Sequence, residues 1–267
     1  MSNKVSTLNT TCHSSEDLIN YLQDKGKHHS YYKVYSSIER ISGWLREGKL
    51  YLSTGKKWND RVDRSIFNTD NCDHINFGLC CSFSKSENVA MWMLYGKDKE
   101  NDDNKNGAML NITKGQIEAV INELDHVEFG HFGDTGAGFI SSLSLERKDI
   151  EIFRQDVLYY SETDANNHIS IKRSDERCDH VPSSVTDGLF ILKKYPWNYE
   201  NECRLVIRVK RHLLKDHTDV DTAAIAIPEN KLKDLRNRVY ASPNSEGNRE
   251  YQGLMLKKSK LGEDLDW

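Results

Sequence analysis

The chain has 267 residues, 37% hydrophobic and 29% charged, with a formal net charge of -4. That length sustains one large domain or two small ones and needs no staples to hold a core. Its 12 Tyr, 8 Phe and 5 Trp exclude a disordered chain, and its acidic balance excludes a uniformly basic nucleic-acid-binding body, though not a local basic groove.

Six cysteines occur without CxxC spacing, which argues against a zinc module. Cys80 and Cys81 are adjacent and point to opposite faces of a strand. The amino end lacks a charged region followed by an apolar run, and no stretch approaches the ~18 apolar residues of a membrane span. The expectation is a reduced, cytoplasmic protein with no membrane partner.

In chain order, Asp17–Leu22 reads as a short helix, within a first segment of residues 1–30 that precedes a single domain over 31–267. Tyr31–Ser36 is aromatic and β-branched enough for a strand. Ser37 caps a helix carrying Ile38, Ile41 and Leu45, which Gly48 ends. Lys49–Ser53 alternates as a strand, and Gly55–Asp63 is a loop. Phe77–Phe83 is a second clear strand, and Ser86 caps a short helix with Val89, Trp92 and Met93. After a charged loop over Lys97–Asn106, Ala108–Ile112 is a strand, and Ile117, Val120, Ile121 and Leu124 mark an amphipathic helix.

Gly133-Asp134-Thr135-Gly136 has neither phosphate-loop spacing and reads as a plain loop. Val157–Tyr160 and Ile169–Lys172 read as strands, and Val185–Lys194 as a helix ended before Pro196. Cys203–Val209 is the strongest strand of the second half, followed by a strand over Ala223–Ile227. Pro228 then opens a helix containing Leu232 and Leu235, and Val239–Ala241 and Leu254–Lys257 complete the sheet. Strands and helices alternate without a regular βαβ rhythm, which points to a mixed α+β fold.

Four clusters carry chemistry. In an extended segment Glu200, Glu202 and Arg204 share one face while Cys203, Leu205, Ile207 and Val209 form the buried one. Such a set can be a surface ion pair worth little. Trp197, Tyr199, Lys193 and Lys194 beside it suit a pocket for a flat, charged ligand. The segment from Tyr31 to Ser36, with three tyrosines, is a core or edge strand or a ligand wall. Ser53 to Asp60 is a turn or a polar site. Met91 to Gly96 is core or an aromatic cage. The ten histidines are scattered, and the close pair His28-His29 reads as exposed loop, so no metal site is expected.

These clusters, in this order, resemble an uncharacterised family of bacterial proteins met near mobile and defence genes. The matches are Tyr32, Lys33 and Ser36; Ser53, Asn59, Asp60 and Asp63; Met91, Trp92 and Tyr95; and Trp197, Tyr199, Glu200, Glu202 and Arg204. Departures are Val34 and Tyr35 in the first block and Trp58 and Arg61 in the second. The resemblance covers about residues 31 to 209. More remotely, the layout is similar to the ADP-ribosyltransferase fold, which implies a mostly antiparallel, split β-sheet with flanking helices.

That resemblance implies an enzyme that consumes NAD as co-substrate. Glu202 takes the catalytic place, Glu200 orients the acceptor, and Ser53 holds NAD from the second strand. Tyr35 stands at the position of the family's arginine, so Tyr32 or Lys33 serves as the first-strand contact instead. Asn59 belongs to the same cofactor-binding set. Tyr32, Trp92 or Tyr95 would stack on nicotinamide or adenine, and Lys33, Lys56 or Arg204 would meet the pyrophosphate. The implied role is a toxin or phage-defence effector, with RNA or DNA favoured over protein as acceptor and an antitoxin as a further partner. Two alternatives remain open: a non-catalytic module that senses a nucleotide or phage protein, and an NAD glycohydrolase.

Overall fold

The computed structural model describes residues 15–56, 58, 73–97, 104–133, 138–163, 168–172, 178–182, 192–217, 219–245 and 249–261. Helix α1 (Ser15–Lys27) extends beyond the expected Asp17–Leu22, buries Leu18 and Leu22, and lies along a later strand. Strand β1 (Tyr31–Ser37) leads into α2 (Ile38–Glu47). The Ser37 side chain accepts from the Arg40 amide, and Gly48, at φ 64°, ends the helix in the left-handed conformation that glycine favours. Strand β2 (Lys49–Ser53) follows at once.

Strand β3 (His74–Ser82) starts earlier than its apolar run suggests. Helix α3 (Val89–Leu94) is capped by Asn88 rather than Ser86, because the Asn88 side-chain oxygen accepts from both Ala90 and Met91 amides. Strand β4 (Gly107–Thr113) leads into α4 (Lys114–Asn122), which Thr113 and Gln116 close with a reciprocal capping box. Strands β5 (His126–Phe132), β6 (Phe139–Glu146) and β7 (Ile150–Asp156) have no counterpart in the sequence reading. Gly130 hid β5, since glycine reads as a breaker; in the fold it marks a register shift where a Cβ would overlap the Ile140 carbonyl oxygen.

Strands β8 (Leu158–Thr163), β9 (His168–Lys172), β10 (Cys178–Pro182) and β11 (Leu192–Lys194) form a separate sheet in the order β10-β9-β8-β11. Residues 192–194 were expected to end a helix. They are a strand instead, because Leu192, Lys193 and Lys194 pair in parallel with Leu158, Tyr159 and Tyr160. The rest of that expected helix, 185–191, lies outside the described residues. A 3₁₀ helix (Tyr195–Glu200) then leads into β12 (Glu202–Lys210). Strand β13 (Thr222–Ala226), helix α5 (Glu229–Arg236) and strands β14 (Val239–Ala241), β15 (Arg249–Tyr251) and β16 (Leu254–Leu256) finish the fold.

The larger sheet runs β14-β4-β1-β3-β2-β13-β5-β6, with β12 paired to both β3 and β7, and its pairings are antiparallel. The fold is therefore mixed α+β with a mostly antiparallel sheet. Strand β3 is its branch point. It pairs with β12 from Ser82↔Glu202 to His74↔Lys210, yet meets β1 only at Ser82↔Lys33 and β2 only at Gly78↔Ser53. Strands β1 and β2 consequently splay apart beside it. Phe77, Leu79 and Cys81 of β3 and Cys203, Leu205 and Ile207 of β12 form the middle of the core. Helices α2, α4 and α5 pack on β4, and α5 also packs against both α2 and α4. Among the described residues, no helix is long and apolar enough to cross a membrane.

Candidate active site

The splay of β1 and β2 opens a cavity of about 360 Å³. Its wall takes Tyr35 from β1, Tyr51 and Ser53 from β2, Cys80 from β3, and Met91, Leu94 and Tyr95 from α3 and the turn after it. Lys193, Glu200 and Glu202 arrive from β11, the 3₁₀ helix and β12.

The local backbone explains why two glutamates reach one cavity. Asn201 sits at φ 43°, a left-handed conformation that asparagine tolerates better than most residues. Its side-chain amide donates to Ser84 Oγ (3.0 Å) and to the Tyr199 carbonyl (3.3 Å), while its own carbonyl accepts from the Phe83 amide (2.9 Å). The chain turns there. Glu200 and Glu202 thus approach from the end of a helical turn and the start of a strand, not from one extended face as the sequence reading expects.

Lys193 Nζ donates to Glu200 Oε2 (2.6 Å) and to Glu202 Oε2 (3.1 Å). Tyr95 donates its hydroxyl to Glu200 Oε1 (2.5 Å), and Arg204 Nε donates to Glu202 Oε1 (2.6 Å). Lys193, Glu200, Glu202 and Arg204 are all buried. Two carboxyl groups and two cations therefore share one desolvated cluster, which holds only because each carboxyl is both paired and hydrogen-bonded. Aromatic faces cover the cations: Lys193 Nζ lies 5.0 Å from the Trp197 ring centre, and the Arg204 guanidinium lies 4.7 Å from that of Trp58. Trp58 in turn donates to Ser53 Oγ (3.0 Å). The Tyr159 hydroxyl accepts from the Glu202 amide (3.0 Å) and ties the start of β12 to β8.

The two carboxylates have different acidities. Burial and the neighbouring Glu202 charge push Glu200 up to about 7, against the pull of Lys193 and Tyr95. Burial also pushes on Glu202, but Arg204 and Lys193, by charge and hydrogen bond, outweigh it and hold Glu202 well below the usual carboxylate range. Burial and the Glu200 charge keep the Tyr95 hydroxyl far above its ordinary value, so it stays a donor. Near neutrality the site holds one fixed anion and one group poised to gain or lose a proton, a division of labour set by environment alone.

Of the residues singled out from the sequence, the structure brings Tyr35, Ser53, Lys56, Tyr95, Lys193, Glu200 and Glu202 to the cavity, together with Ser36, Trp58 and Met91. It does not bring Tyr32, Lys33, Trp92 or Arg204 to the cavity wall. Tyr32 is three residues from Tyr35 and so faces the other way. Its hydroxyl donates to the Gly26 carbonyl (2.7 Å) and accepts from Arg154 Nη1 (3.1 Å). Lys33 Nζ donates to the carbonyls of Ser84, Lys85 and Ser86 at 2.6, 3.1 and 2.7 Å, so it braces a turn. Trp92 donates to Glu87 (3.0 Å) and packs edge-on against Tyr35 with ring centres 5.1 Å apart. Arg204 supports Glu202. Asn59, Asp60 and Asp63 lie outside the described residues.

Sequence reasoning did not single out Trp44, Tyr51, Asp221 or Thr222, which also line the cavity, whereas Thr54 lies in the polar segment from Ser53 to Asp60 that it did mark. Thr222 and its neighbour Asp221 come there through the pairing of β13 with β2, Thr222 opposite Ser53, and no local pattern announces that. Lys193 stands in the sequence reading as a cation of the pocket, but the helix expected over 185–194 hides the strand pairing that sets its Nζ between the two glutamates. Comparison of the chain with family models, with curated proteins and with solved structures finds no match in any of the three.

Proposed function

We propose that the chain is an NAD-dependent ADP-ribosyltransferase, and the observation that carries this reading is the Glu200–Lys193–Glu202 cluster at the wall of an aromatic cavity. Breaking the bond between nicotinamide and the ribose carbon C1′ sends the electron pair to nicotinamide and leaves positive charge on the ribose. Glu202, permanently ionised and already oriented by Arg204, stabilises that charge without reorganising. The acceptor then bonds to C1′, and its proton passes to the Glu200 carboxylate and on to solvent. Carboxylate pairs support comparable charged states in glycoside cleavage.

The cavity suits flat rings, with Tyr35, Trp44 and Tyr51 on its wall, and Ser53 and Thr54 offer hydroxyls to a ribose. Arg40 and Lys56, exposed members of the lining, supply cations for a pyrophosphate. The splayed sheet with a Glu-x-Glu segment leading into β12 supports an ADP-ribosyltransferase-like fold. The resemblance to defence-associated proteins favours a toxin or phage-defence effector. RNA or DNA stands ahead of protein as acceptor, since half-buried Trp58 and exposed Phe132 on the cavity lining offer rings on which a base can stack.

Incubation with NAD carrying label on either the adenylate or the nicotinamide, plus RNA, DNA and cell lysate, tests this. The expected result is free nicotinamide together with adenylate label on one macromolecular fraction. Free ADP-ribose alone would mark a glycohydrolase. No nicotinamide with any acceptor overturns enzymatic turnover, and a sensing module would bind NAD without consuming it.

Glu200→Gln separates the two glutamates. Glu200 accepts a proton only when ionised, so transfer by the wild type should rise with pH and level off above about 7. The variant should lose that limb and about 10²-fold in transfer rate. Its stability should move the opposite way. A carboxyl whose folded-state value is raised stabilises the fold fully below its ordinary 4.5, and that contribution is lost as pH rises through about 7. Thermal unfolding of Glu200→Gln should therefore gain on wild type across this window and stay level above it, by at most about 3 kcal/mol.

A further inference from the structure

Behind the cavity, on the opposite face of β12, three side chains of different chemistry converge. Cys203 follows Glu202 in the chain, so its side chain leaves the strand on the other side. It pairs directly across the sheet with Asp156 at the end of β7. The third is His29, in the link between α1 and β1, whose Nε2 lies 2.7 Å from Asp156 Oδ1. The candidate donor atoms of His29, Asp156 and Cys203 all lie within 4.8 Å of one another.

The neighbourhood holds these groups in place. Helix α1 presses onto β7 so closely that a Cβ on Gly26 would stand 2.7 Å from the Arg154 backbone; only glycine lets the chain pass there and carry His29 over the sheet. The His29 ring stacks on Phe83, with centres 3.9 Å apart and planes 4° from parallel, which fixes its orientation. The nearby cation, Arg154, is engaged by the Tyr32 hydroxyl at 3.1 Å and by Glu118 at 3.5 Å. Cys203 forms a fully buried floor, whereas His29 and Asp156 remain 18% and 14% exposed, so solvent reaches the site from one side.

We propose that His29, Asp156 and Cys203 form a binding site for a transition-metal cation of the Zn²⁺ class. One imidazole nitrogen, one carboxylate oxygen and one thiolate sulfur are the donor types that Zn²⁺ takes at about 2.0–2.3 Å, and three protein ligands leave the fourth tetrahedral position to water. Carboxylate and thiolate together balance the charge of a divalent ion. Small side-chain rotations bring the donors onto one centre, displacing the His29–Asp156 contact. The ion would also brace the start of β12 from behind, where the Glu202 carbonyl already accepts from the Val157 amide at 3.0 Å. The site does not depend on the proposed reaction.

Cobalt titration of the full, tag-free chain after chelator treatment tests this, with metal content of the freshly purified protein measured alongside. The expected result is roughly one equivalent bound in a tetrahedral site, with a near-ultraviolet thiolate-to-cobalt charge-transfer band that Zn²⁺ displaces. Cys203→Ser should abolish that band, and Cys80→Ser should leave it. His29→Gln changes a partly exposed position and should fold, as circular dichroism will check. It should weaken binding at least ~10-fold. Absence of the band in wild type, or its persistence in Cys203→Ser, overturns the proposal. So does a folded His29→Gln chain that binds cobalt as tightly as wild type, whatever Cys203→Ser does.

Discussion

Replacing Glu202 by Gln is expected to slow nicotinamide release from NAD about 10²–10³-fold, the scale of losing one preorganised electrostatic contact to a developing charge. Gln keeps an oxygen for Arg204 Nε, so the chain should still fold, but the anion facing the ribose is gone. A second consequence follows from the coupling. The Glu202 charge is one of the causes that lift Glu200, so its removal should move the rising limb of the pH profile below about 7. Single-turnover release measured across pH reads both effects. A variant that releases nicotinamide at the wild-type rate would place charge stabilisation outside Glu202.

The largest stability effect is expected at Lys193. Lys193→Met removes the buried cation that two carboxylates share and leaves like charges facing each other. Breaking a buried pair by deleting one partner costs about 3–5 kcal/mol. For a chain of this size that is a Tm drop on the order of 10 °C. The loss should grow with pH, because Glu200 without its lysine resists ionisation more strongly still. Glu200→Gln in the Lys193→Met background should recover much of it. Denaturant unfolding of the wild type, both single variants and the double variant closes that cycle, and simple additivity would show that the three groups do not act as a unit.

Elements specified by near neighbours were legible in the sequence. The run from β1 through α2 to β2 carries its own punctuation, with Ser37 as cap, Gly48 as stop and alternation in Lys49–Ser53. A two-residue competition between local caps moved the start of α3 from Ser86 to Asn88. Elements whose backbone bonds go to distant partners were not legible. Strand β11 exists because β8 lies beside it, β5 pairs with β13 and, across a glycine-marked irregularity, with β6, and β7 pairs with β12.

By itself, the sequence determined the mixed α+β class and drew attention to Glu200, Glu202, Ser53, Tyr35 and Tyr95, because period and residue type are local properties. Only the tertiary structure decided what those residues can do. It turned Tyr32 away from Tyr35's cavity, placed Lys193 between the glutamates, and set His29, Asp156 and Cys203 side by side from three separate segments. The physical reason is that a carboxylate's charge depends on the water removed from it and on the ions brought near it. In this chain the ions are close in sequence but the strands that bury and aim them, β3 beside β12 and β8 beside β11, are distant: Glu202 remains an anion through Arg204 and Lys193, and Glu200, a short turn away, is held near neutrality's edge.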